Sequence, residues 1–150
     1  MTDLIKPAGI FGDLWLPRNV AGLLYNNGWA GAIPNVEMNA TIFAESGRYE
    51  AAVGDVNPDG SQDWGMFQLN NRHFTYFGYK TQELFYEACI VAPIAVVHAR
   101  TLFEADRKAG GTGFGPWFGH GSAQFTKGLP SSCGGLANFC AQHFGLKSVV

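Results

Sequence analysis

An α+β fold, mostly helical with a small β-hairpin, follows from three features of the sequence. Stretches opened by proline and closed by glycine carry apolar residues at helical spacing. Asn57-Pro58-Asp59-Gly60 places Asn, Pro, Asp and Gly at the four successive corners that a type I turn favours. No internal repeat, linker or low-complexity tract divides the 150 residues, so one domain over residues 1–150 is expected, long enough for one well-buried core.

In chain order, Pro17 to Asn27 reads as the first helix, with Val20, Leu23 and Leu24 on one face and Gly28 ending it. Pro34 to Ser46 is the second: Pro34 suits a first turn, and Met38, Ile42 and Glu45 follow one stripe at i, i+4 and i+7. The hairpin around residues 57–60 comes next. An aromatic loop from His73 to Tyr79 is expected to form part of a cleft wall. Thr81 to Cys89 reads as a short helix. Pro93 opens a longer one whose Ile94, Val97, Thr101, Leu102 and Ala105 are expected to face the core, with Lys108, Gly110 and Gly111 at its end. Gly110 to Gly121 holds glycine-rich turns. A last helix is expected over roughly Ser132 to His143, with Leu136, Phe139 and Cys140 at helical spacing.

Glu45 stands out because an acid extends an apolar stripe. Gly47 is a natural left-handed stop, which puts Glu45 in the last turn, where the exposed carbonyls disfavour a negative charge. Both effects favour the protonated carboxyl, which can give its proton to a leaving-group oxygen as a general acid. On position alone a solvated glutamate at a fraying helix end is the commoner situation. The residues downstream reverse that preference. Asp63 lies 63 − 45 = 18 residues on, just after the turn, far enough for the chain to fold back across a cleft. Asn57, Ser61, Gln68 and Asn70 surround it in sequence, neutral groups able to hold a carboxylate and to grip hydroxyl and acetamido groups of a saccharide. Asp59 reads as a turn stabiliser, and Glu50 and Asp55 as solvated loop acids.

Glu45-Ser46 followed by Asp59-Gly60-Ser61-Gln62-Asp63-Trp64-Gly65-Met66-Phe67-Gln68-Leu69-Asn70 resembles the core motif of the lysozyme superfamily, in particular chicken-type lysozymes and the lysozyme-like, transglycosylase-related domains of bacteriophage proteins. Ala21 to Gly31 is similar to the short helix and Gly-Trp turn before the catalytic helix of those phage domains. Pro93 to Ala109 and Gly113-Phe114-Gly115-Pro116-Trp117 are similar to their later helix and Pro-Trp loop. The resemblance implies a lysozyme-like fold and a muramidase that cuts the β-1,4 bonds between N-acetylmuramic acid and N-acetylglucosamine in peptidoglycan, with no cofactor. Glu45 would be the general acid and Asp63 the nucleophile or ion-pair stabiliser. Asn57, Ser61 and Asn70 correspond to the polar shell of that aspartate, and Gln68 to a glutamine lining the cleft. Trp64 and Trp117 are candidate substrate-binding residues, since a half-buried tryptophan serves cleft lining and core packing alike. A lytic transglycosylase needs Glu45 but not the aspartate. A non-catalytic wall-binding or structural module of a phage tail is the alternative outside the enzyme class. Expected partners are peptidoglycan glycan strands and, for a phage product, other virion proteins.

The chain departs from chicken-type lysozymes in its cysteines. Cys89, Cys133 and Cys140 are an odd number where that group is stapled by several disulfides, so buried free thiols are expected, with a Cys133–Cys140 bridge as the alternative. The opening Met1-Thr2-Asp3-Leu4-Ile5-Lys6-Pro7 has no basic segment followed by a long apolar one. Synthesis in a host cytoplasm without a signal peptide is therefore expected, with access to the bacterial wall by release at lysis or as part of a virion.

Hydrophobic content of 47% with 15% charged residues excludes a disordered chain. A formal net charge of −2 gives no electrostatic case for nucleic acid, and no apolar run reaches the roughly 18 residues that span a bilayer. Affinity for a wall polymer then falls to local contacts, for which the aromatic residues offer flat apolar faces. His73, His98, His120 and His143 are scattered without metal-ligand spacing, so no metal is expected, and they read as satisfied or surface histidines. Gly111-Thr112-Gly113-Phe114-Gly115 lacks the Gly-Lys-Ser/Thr of a phosphate loop and reads as a flexible loop.

Overall fold

A computed structural model of the chain describes residues 4–5 and 13–131. The expected helix over 132–143 and the Cys133–Cys140 pair lie outside the described residues. Within them the fold is α+β: five α-helices and an antiparallel sheet of two-residue strands in the order β1-β2-β3-β4.

The first helix, α1 (Pro17–Tyr25), has Pro17 in its first turn and buries Val20, Ala21 and Leu24. The second, α2 (Ala32–Ser46), starts two residues before Pro34. Proline is tolerated at this third position because the first N–H groups of a helix have no intrahelical partner. Gly47 closes α2 in the left-handed region, φ 64°, and its N–H meets the Phe43 carbonyl. Met38 and Ile42 are fully buried, as the stripe requires.

The expected turn forms, with the Gly60 N–H donating to Asn57 O at 2.8 Å. It joins β2 (Val53–Gly54) to β3 (Asp63–Trp64), and β2 also pairs with β1 (Leu4–Ile5). A second hairpin, not anticipated from the sequence, joins β3 to β4 (Leu69–Asn70). Its turn needs left-handed backbone at Gly65 and Gln68, and a side chain on Gly65 would place its Cβ 1.9 Å from Cys89 O. The Gln68 amide donates to Ala52 O and Gly65 O, which holds a non-glycine residue in that conformation.

A 3-10 turn (Asn71–Phe74) leads to α3 (Gln82–Cys89), capped by the Thr81 hydroxyl, which accepts from Leu84 N–H. The longest helix, α4 (Ala92–Lys108), has Pro93 in its first turn but a different inner face from the one expected. Ile94, Val97, Thr101 and Ala105 are exposed; Ala92, Ala95, Val96, Ala99, Leu102 and Phe103 are buried. A row of alanines brings the helix axis close to the core, so packing and not side-chain bulk sets the phase. Glu50, expected to be solvated, accepts the Ala92 N–H at 2.7 Å and satisfies a free donor at the start of α4. The last described helix, α5 (Ala123–Ser131), was not foreseen. Gly128 and Pro130 are poor helix formers, yet Gly128 lets the helix lie against Ala40 and Phe43 of α2.

The core gathers Leu24, Trp29, Met38, Ile42, Phe67 and Phe85 with the inner face of α4. Cys89 is a buried free thiol, pushed up to about 12 by burial, and so behaves as a small apolar residue.

Candidate active site

Glu45 is the penultimate residue of α2 and is only 6% exposed. Burial raises its carboxyl above the ordinary 4.5, a hydrogen bond from the Gly119 N–H works in the opposite direction, and Asp63 pushes it further up. That bond is 2.6 Å long and joins the end of α2 to a loop 74 residues further on. Gly119 has to be a glycine here: a Cβ would lie 2.6 Å from the Glu45 Oε1 and 3.0 Å from the Ala44 Cβ.

Asp63 sits on β3, half-buried, and accepts from the Asn70 amide at 3.1 Å across the second hairpin. The same amide donates to Ser61 Oγ at 3.0 Å, and the Asn57 amide reaches that hydroxyl at 3.1 Å. Ser61 Oγ in turn donates to Asp59 at 2.6 Å. The proposed polar shell of Asn57, Ser61 and Asn70 is thus a connected network, and Asn70 is the member that touches Asp63. Asp59 is a turn stabiliser, as expected. The Ser61 hydroxyl and N–H hold its carboxyl below the ordinary value, with Arg72 adding an ion pair at 3.0 Å.

Glu45 and Asp63 open on one cleft of about 500 Å³ between the end of α2 and the hairpins. Asn57, Ser61, Gln68 and Asn70 line it with them, as does Trp117. Gln68 and Trp117 also brace the wall: Gln68 spends its amide on backbone carbonyls, and buried Trp117 donates Nε1–H to Phe67 O at 2.8 Å. Trp64 does not line the cleft. Successive residues of a strand point to opposite faces, so with Asp63 toward the groove Trp64 turns away, onto Phe85 and Tyr86.

Two parts of the site, Phe118 and Gly119, were not among the expected residues, and a third, His73, was expected only as one end of the cleft-wall loop. His73, otherwise read as a satisfied or surface histidine, lines the cleft, and burial pushes its imidazole below the ordinary value while Asp63 pulls it up. It is the contribution of the aromatic loop to the groove; Phe77 and Tyr79 pack instead against Phe85 and His98. Phe118, 84% exposed, offers a ring at the cleft edge, and Gly119 offers its N–H. The glycine-rich run was the available signal for the last two. Its first part is not a free loop: the Asp106 carboxylate accepts the Gly113 and Gly115 N–H groups at 2.9 and 3.2 Å. Among the described residues, no group of three His, Cys, Asp or Glu is placed to hold a metal ion.

A buried glutamate at the end of α2 and an aspartate on β3 thus line one groove. Among solved structures, the chain is similar to a lysozyme from Litopenaeus vannamei, with a TM-score of 0.58 and 18% identity over 82% of this chain and 98% of that one. Protein-family models and curated proteins give no match.

Proposed function

We propose that the protein is a peptidoglycan-cleaving glycosidase, a muramidase acting on the β-1,4 bonds between N-acetylmuramic acid and N-acetylglucosamine, and that residues 1–150 form one catalytic domain. The observation that carries the reading is the pairing of a buried glutamate, its carboxyl raised by burial, with a hydrogen-bonded aspartate in the same groove. Glu45 would hand its proton to the bridging oxygen as the glycosidic bond breaks. Asp63 would stabilise or trap the cationic sugar, and water would complete hydrolysis. The neutral hydrogen-bonding groups of Asn57, Ser61 and Asn70 suit the hydroxyl and acetamido groups of the substrate. Trp117, Pro116 and Phe118 add apolar wall for the faces of sugar rings.

The motif similarity to phage lysozyme-like domains supports a phage product that reaches the bacterial wall at lysis or as part of a virion, with glycan strands and virion proteins as partners. Digestion of purified peptidoglycan with product masses tests the reading. Hydrolysed fragments are expected from the wild type, with a fall of about 10²- to 10⁴-fold in Glu45→Gln. Products lighter by one water would replace the hydrolase with a lytic transglycosylase. Absence of cleavage by the wild type, with wall binding retained, would leave a binding module.

A further inference from the structure

The peptide N–H that meets Glu45 belongs to a turn segment in which the His120 N–H donates to Trp117 O and the Ser122 N–H to Gly119 O. Phe118 before it is 84% exposed, and Gly119 has no side chain. No side chain of these two residues anchors this peptide, so its aim is set by neighbours. Upstream, Trp117 is tied to Phe67 O. Downstream, His120 Nε2 meets Glu37 Oε2 at 3.1 Å, its ring stacked on Phe114 at 4.3 Å, and Ser122 Oγ donates to Gly119 O at 2.7 Å. Glu37 and Glu45 lie on the same helix, 45 − 37 = 8 residues or about 12 Å apart along its axis. One loop is thus strapped to one helix at two points, through adjacent residues.

We propose that the Glu37–His120 contact is a positioning pair that fixes the aim of the Gly119 N–H at Glu45, and so acts on the reaction through Glu45 without touching substrate. Neither partner lines the cleft with Asp63. Both line a separate hollow of about 450 Å³, shared with Arg100 and Arg107. The pair is about one-third exposed, so its value lies in geometry more than in ion-pair strength. Its consequence for catalysis rests on the reading of Glu45 as the acid; the contact itself does not.

Amide hydrogen exchange in the intact protein tests the pair. Glu37→Ala removes the acceptor, favours the helix and leaves His120 stacked on Phe114. Exchange at Gly119 is expected to accelerate by about tenfold or more, with Met38 and Ile42 in α2 unchanged. His120→Gln, which keeps a side-chain N–H for Glu37, is expected to stay near the wild-type rate. Unchanged exchange at Gly119 in Glu37→Ala would overturn the proposal. Equal acceleration at Met38 and Ile42 would overturn it too, by marking the pair as a general stabiliser. The measurement needs no turnover, so a wild-type protein that cleaves no glycan would sink the reading of Glu45 alone. In an active protein, Glu37→Ala is expected to lower kcat and leave KM in place.

Discussion

Glu45 and Asp63 show how one functional group takes two characters from its surroundings. Glu45 is taken out of water at the end of α2, and burial favours its neutral form over the opposing effect of the Gly119 N–H. Asp63 is half-open and accepts from Asn70. Replacing each carboxyl by its amide is therefore expected to fail differently. Glu45→Gln cannot donate an acidic proton. Asp63→Asn removes the negative charge opposite the developing cation and is expected to slow cleavage by about 10²-fold or more while substrate still binds. Kinetics on a soluble glycan oligomer check this, and a Glu45→Gln variant with wild-type kcat would contradict it. These two positions were legible in the sequence because the apolar stripe and the turn both carry local signals. Phe118 and Gly119 were not, since their place in the cleft depends on long-range folding that no local spacing encodes, and His73 was legible only as part of the aromatic loop.

At the level of elements, the helix ends and the first turn were readable because proline and glycine have local steric effects. The inner face of α4 was misread, since Ile94 and Val97 are more apolar than Ala95 and Ala99, yet close approach to the core favours the smaller residues. The second hairpin was hidden because Trp64-Gly65-Met66-Phe67-Gln68-Leu69 carries no proline, asparagine or aspartate to mark a turn. Gly65 makes it possible, with φ 82° and its α-carbon packed against the Cys89 carbonyl. Gly65→Ala meets both a disfavoured backbone conformation and a backbone oxygen that α3 holds in place. Loss of more than about 3 kcal/mol of stability is expected in denaturant unfolding, and a change below about 1 kcal/mol would show that the hairpin shifts freely. Since β3 and β4 hold Asp63 and Asn70, the same variant should disturb the network around Asp63.

The neutral state of Glu45 is a property of the whole molecule. Only the assembly of α2, the hairpins and the Gly113–Gly121 loop takes the carboxyl out of water. An acid whose folded pKa lies above its unfolded value contributes stability that is fully present below the unfolded pKa and is lost as pH rises through the folded one. From pH 4 upward, stability is therefore expected to decline through the titration of Glu45, and Glu45→Gln should remove that part of the decline. Identical pH profiles of unfolding free energy for the two proteins would contradict this. The most direct test of the account is a carbon-13 NMR titration of the Glu45 side-chain carboxyl in the folded protein. A midpoint above the ordinary 4.5 is predicted, and a midpoint at or below it would mean that no neutral acid waits in the cleft.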